Sequence, residues 1–137
     1  MAVFNKCNSF VEALAEKVHN LGSDTLKVML SAAAPSSSYT KKADFTEISA
    51  GNGYTAGGAT LSVTSSAQTG GTYSLVGSAV TITASGGSVG PFRYAILYND
   101  TATNDEAIGW WDYGASLTLA DGEIFQVSFP STILTVA

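Results

Sequence analysis

The chain has 137 residues, enough for one domain that buries roughly two-thirds of its unfolded surface, so neither a metal nor a disulfide is needed to hold a core. Charged residues make up only 12%, the net charge is −5, and Arg93 is the one cation beyond residue 42, so a phosphate backbone would be repelled by most of the chain and no nucleic-acid partner is expected. The single cysteine, Cys7, excludes an intrachain bridge and reads as a small packing residue.

From Met1 to Phe10 no basic stretch leads into an apolar run, so no signal peptide is expected. The apolar runs, such as Tyr94 to Tyr98, are far shorter than the roughly 18 residues of a membrane-spanning helix, and no membrane partner is expected. A helix is predicted from Ser9 to Leu21, where Phe10, Val11, Leu14, Val18 and Leu21 recur at helical spacing. Ser9 with Glu12 three residues on forms a capping box, and Gly22 suits a left-handed exit. Lys17 and His19 fall in the predicted last turn, near the carbonyl ends.

From Thr25 the period changes to two. Leu26, Val28 and Leu30 alternate with Lys27, Met29 and Ser31, which predicts a strand with one buried face. Further strands are predicted at 45–49, 61–65, 72–76, 79–84, 92–98, 107–113, 116–120, 123–129 and 132–136. Glycine pairs and Ala34-Pro35 punctuate them, and Asp121-Gly122 is a hairpin signal. The expected fold is mainly β, an antiparallel sandwich or barrel with one short N-terminal helix, forming a single domain over 1–137. Within it, 1–22 is the N-terminal segment and helix, 23–137 the β domain, and the glycine-rich stretch 51–58 the expected mobile loop.

Two predicted strands are apolar on both sides. Phe92, Tyr94, Ile96 and Tyr98 should face one way and Arg93, Ala95 and Leu97 the other. Across the turn, Ile108, Trp110 and Asp112 should share a face opposite Trp111 and Tyr113. Something must then cover both sides, either the N-terminal helix or a neighbouring subunit.

Chemical motifs are weak. Gly86-Gly87-Ser88-Val89-Gly90 fits the nucleophile-elbow pattern, yet Pro91 and a strand follow where a helix is required, and His19 precedes the serine. Gly51-Asn52-Gly53-Tyr54-Thr55-Ala56 fits a dinucleotide fingerprint without a helix to receive the phosphate. His19 has no second histidine or nucleophile nearby in sequence, and the acidic stretch Asn99 to Glu106 lacks calcium-loop spacing and reads as a solvated turn. Asn99-Asp100-Thr101 is a glycosylation triplet that means nothing without a secretory signal. No catalytic, cofactor-binding or metal-ligating residue is singled out, and the chain is not expected to be an enzyme.

Three segments, Gly51 to Gly58, Arg93 to Thr101 leading to Ile108 to Gly114, and Ala120 to Val136, resemble in order and spacing the small capsid decoration proteins of tailed bacteriophages. The resemblance spans most of the chain and rests on turns and strands. It implies a virion component on the capsid exterior, made in the host cytoplasm, that binds the major capsid protein at many equivalent sites, often as a trimer. Phe4, Tyr39, Tyr54, Trp110, Trp111 and Tyr113 are the candidate interface residues. A tail or fibre component is an alternative, as is a carbohydrate-binding module using Trp110, Trp111 or Tyr113.

Overall fold

The computed structural model describes residues 3–129 and 132–137. Met1 and Ala2, where the signal-peptide reading begins, lie outside them. The elements are β1 (Phe4–Lys6), α1 (Ser9–Ala15), β2 (Leu26–Ser31), a 3₁₀ turn (Lys42–Asp44), β3 (Ala59–Thr60), β4 (Val63–Thr69) and β5 (Thr72–Gly77). Then follow β6 (Val80–Thr83), β7 (Val89–Asn99), β8 (Ala107–Leu119), β9 (Ile124–Val127) and β10 (Leu134–Val136). All strand pairings are antiparallel, in a five-stranded sheet β1-β8-β7-β2-β3, a three-stranded sheet β10-β5-β4 and a two-stranded ribbon β6-β9. The arrangement is sandwich-like and mainly β, as the period-two pattern predicts, and it does not close into a barrel.

The main core lies between the five-stranded sheet and the smaller sheets. Leu26, Val28 and Leu30 of β2 and Ala95 and Leu97 of β7 meet Leu75 of β5, Ile82 of β6 and Leu134 of β10. A second, smaller core lies on the other face of the large sheet, where Met29, Ile96, Tyr98 and Ala107 pack with Cys7 and Phe45, flanked by Tyr39, Tyr94 and Trp110. Strand β2 is therefore buried on both faces, not one. The cover on this second face is the long connection from β2 to β3, through Tyr39 and Phe45, whose rings meet edge-on at 5.0 Å. Neither option drawn from the sequence is needed there. A connection that folds back supplies its own aromatic residues, which satisfies a two-sided apolar strand within one chain.

Alternation fails at three register shifts in the β7–β8 pair, between Val89 and Phe92, between Phe92 and Tyr94, and between Leu97 and Tyr98. Leu97 opposes Gly109 and Tyr98 opposes Ala107, so β8 advances two residues for one of β7. That slip puts Ile108 and Trp111 in the main core and Ala107 and Trp110 in the second, so Ile108 and Trp110 do not share a face. Further along, Phe92 opposes Leu117 and Tyr94 opposes Asp112, five steps of β8 against two of β7. Phe92 consequently joins the main core while Tyr94, Ile96 and Tyr98 face the second. The two strands predicted at 107–113 and 116–120 are one strand interrupted by this bulge.

The helix is half its predicted length. Lys17 takes a left-handed φ of 69°, and Val18 N–H bonds Ala13 C=O at 2.8 Å while Lys17 N–H reaches Leu14 C=O at 3.5 Å, the double closure of a Schellman motif. The αL position that Gly22 was suited to fill is thus occupied by Lys17, and Asn8 rather than Ser9 caps the start, without a side-chain bond. Turning early lets His19 and Leu21 sink to 5% exposure, whereas Val11 stays 54% exposed. The stretch predicted as a strand at 45–49 makes only an isolated bridge between Ser31 and Glu47. Gly70-Gly71 does close the β4–β5 hairpin with both φ angles positive. Asp121-Gly122 turns the chain but joins strands that do not pair, since β9 runs beside β6. Gly122 N–H bonds Ala84 C=O and the Asp121 carboxylate accepts from Gly86 N–H, so the turn hands the chain from one sheet to the other.

The glycine-rich stretch 51–58 is not a loose arm. Tyr54 is 3% exposed, and its hydroxyl accepts from Leu30 N–H at 3.0 Å and lies 2.8 Å from Glu47 Oε1. Tyr98 donates to Gly57 C=O at 2.6 Å. Gly58, at φ +82°, lies so close to Val28 C=O that a Cβ would overlap it, so glycine here permits backbone contact rather than motion.

Candidate functional site: an aromatic groove

The large bulge in β8 builds one side of a groove. Gly114 takes φ +95°, and its N–H donates to Asp112 Oδ1 at 2.8 Å, which turns Tyr113 outward. Asp112 is held in turn by Arg93 on β7, whose Nε and Nη2 donate to the two carboxylate oxygens at 2.8 and 3.1 Å. This fork-to-fork pair holds the Asp112 carboxyl below its ordinary range, chiefly through the Arg93 bonds, and raises the Arg93 guanidinium for the same reason. Both side chains remain well exposed, so the pair orients the bulge more than it stabilises the fold.

The other side comes from β9 and the approach to β10. Phe125 sits edge-on to Phe92 at 4.8 Å and to Tyr113 at 5.7 Å, and Phe129 lies 5.3 Å from Trp111. Phe4 of β1 meets Trp111 at 5.1 Å, where Gly109 leaves room for its ring. The groove, open to solvent on one side, has a volume of about 400 Å³, the size of a small-ligand or side-chain site. Its apolar wall carries Phe4, Trp111, Tyr113, Phe125 and Phe129, and its polar contributions are Arg93, Gln126, Ser128 and Thr132. Tyr113 is 56% exposed, the largest aromatic surface offered to solvent, while Trp111 is 9% exposed.

The six candidate interface residues separate into three groups. Phe4, Trp111 and Tyr113 come together at the groove. Tyr39 and Trp110 lie across the sheet, against the second core. Tyr54 is an internal post and offers no surface. Sequence reasoning missed Arg93, Phe125 and Phe129. The signal for Arg93 was its place as the sole late cation on an otherwise apolar strand, with Asp112 on the next strand; Phe125 and Phe129 carried no signal, because their groove depends on β9 leaving the large sheet.

Other chemical candidates are placed as follows. Ser88 enters β7 directly, with its carbonyl accepting from Asn52 Nδ2 at 2.9 Å, so the glycines before it form a bend and not an elbow. Cys7 is fully buried, and desolvation followed by the nearby Asp44 pushes its thiol up to about 11, far from a reactive thiolate. Asn99, read as part of a solvated turn, is completely buried and organises that turn from within. Among the described residues no group of three or more His, Cys, Asp and Glu side chains is arranged to hold a metal ion.

Fold and groove together define a sandwich-like β domain with an aromatic recess at the junction of its sheets. Comparisons with protein-family models, with curated proteins and with solved structures find no match to this chain.

Proposed function

We propose that the chain is a virion structural protein that decorates a phage capsid by binding the major capsid protein, working as a homo-oligomer, with the aromatic groove as its docking surface. The observation that carries this reading is the groove, whose lining brings exposed Tyr113 together with Trp111 and with Arg93, itself paired to Asp112. Aromatic and arginine side chains on a preformed surface are what protein interfaces use as anchors. The capsid as partner is supported by the resemblance of the three segments, two of which contribute Arg93, Trp111, Tyr113 and Phe125 to this recess. Two-sided apolarity of the central strands no longer argues for a partner, because the chain covers both faces itself. Binding the expanded shell and not its precursor would stabilise the shell by mass action.

The test is cosedimentation of the purified protein with expanded capsids that lack it. Saturable binding at micromolar concentration is expected, and Tyr113→Ser should weaken it by about thirtyfold, the loss typical of an interface anchor. No cosedimentation of the wild-type chain would overturn the reading. A sugar ligand is a second reading, favoured by the Trp111 and Tyr113 rings beside the polar Arg93 and Gln126. A glycan array hit lost on Trp111→Ala, with capsid binding absent, would select it; a position on tail or fibre would show as binding to tails alone.

A further inference from the structure

His19 is the only histidine of the chain, so its state can be read without ambiguity. It lies in the segment between α1 and β2, 5% exposed, with its ring 5.4 Å from that of Phe10. Its Nδ1 is 3.0 Å from Asn99 Nδ2 at the end of β7. The remaining partners of Asn99 decide which atom donates. Asn99 Oδ1 accepts from Thr101 and Ala102 N–H at 2.9 and 3.2 Å, and Nδ2 donates to Asp24 Oδ2 at 2.7 Å. Nδ2 therefore meets His19 as a donor, Nδ1 must accept, and the neutral ring carries its proton on Nε2. That Nε2 is buried without a partner, alone among the side-chain nitrogens and oxygens of the described residues.

We propose that His19, Asn99 and Asp24 form an acid-released latch that fastens the segment from α1 to Thr25 onto the turn between β7 and β8. The same fastening includes Asp24 Oδ2 accepting from Asn20 N–H at 2.8 Å, and Thr25, which exchanges bonds with Asp100 and Thr101 at 2.9 and 2.8 Å. A second proton on His19 would set Nδ1–H against an amide donor and leave two buried N–H groups unsatisfied. The charged groups around the ring are Asp24 and Glu106, which favour the imidazolium, and Lys17 on its own segment, which shares the adjoining cleft. Desolvation is the largest influence and keeps the ring below its ordinary value of 6.5. Above that value both open and closed forms are neutral and the latch holds fully. As pH falls below 6.5 the open form takes up a proton before the closed form does, so closure loses stability.

Nitrogen NMR of the imidazole and amide hydrogen exchange of the intact protein, compared at about pH 7.5 and about pH 5, test the latch. The expected result is an Nε2–H tautomer, a midpoint below 6.5, and opening of the amides from 16 to 25 that rises about tenfold at the lower pH while central β7 amides hold. His19→Gln, which cannot titrate, should abolish the rise; Asn99→Asp, which offers the ring an acceptor, should move the midpoint above 6.5. An Nδ1–H tautomer, a midpoint at or above 6.5 in the wild type, or opening that ignores pH would overturn the proposal, and the wild-type measurements decide it even where a variant does not fold.

Discussion

The hydroxyl of Tyr54 joins three stretches of backbone: it accepts from Leu30 N–H, donates to Glu47, and shares that carboxylate oxygen with Gly57 N–H. Burial above all, then the bond to Glu47 and its charge, raise its ionisation far above the usual tyrosine range against the smaller, lowering effect of the Leu30 bond, so it stays a neutral donor at any ordinary pH. Tyr54→Phe keeps the ring and deletes the bridge, which leaves Leu30 N–H buried without an acceptor. We expect a loss of about 1–3 kcal/mol, measured as a lower urea midpoint with unchanged slope. Composition alone pointed the other way at this residue, since a tyrosine among glycines reads as a contact on a flexible arm. What the sequence could not convey is that Gly53 and Gly58 are required by close approach of backbone to Thr83 and Val28.

Among the elements, strand existence was legible and strand partnership was not. Period-two runs located β2, β5, β6, β7, β8, β9 and β10 to within a few residues, because alternating burial is a local property. The bulges were invisible: a strict period places Phe92 with Tyr94 and Ile108 with Trp110, whereas one inserted residue at Ile108 and the looped stretch around Gly114 reverse those assignments. The helix was overextended because Val18 and Leu21 fit its stripe, although Lys17 already turns the chain. The groove depends on the ribbon β6-β9 being held against the large sheet by Phe125, which contacts both Phe92 and Tyr113. Phe125→Ala should therefore cost about 2 kcal/mol, below the full value for a core phenylalanine because the ring is only half-buried, and it should weaken groove binding beyond its effect on stability. Chemical denaturation and the capsid titration, run on the same preparation, separate the two effects.

Across the molecule, the first and last strands pair with partners distant in sequence, β1 with β8 and β10 with β5, so the sandwich-like body rests on long-range contacts. The mainly β class followed from composition and punctuation, while the site did not, because it is assembled from β1, β7, β8, β9 and the approach to β10. Neighbouring in sequence, Trp110 and Trp111 look into opposite layers of the large sheet, the first beside Tyr39 and Cys7, the second into the groove. This gives the domain two built-in optical probes, one on each side of a single wall. With Trp110→Phe, emission should report only what enters the recess; with Trp111→Phe, it should report only the folded-back connection, and a ligand of the recess should leave it unchanged. Any occupant can thus be assigned to a side of the sheet by fluorescence alone, without attaching a dye.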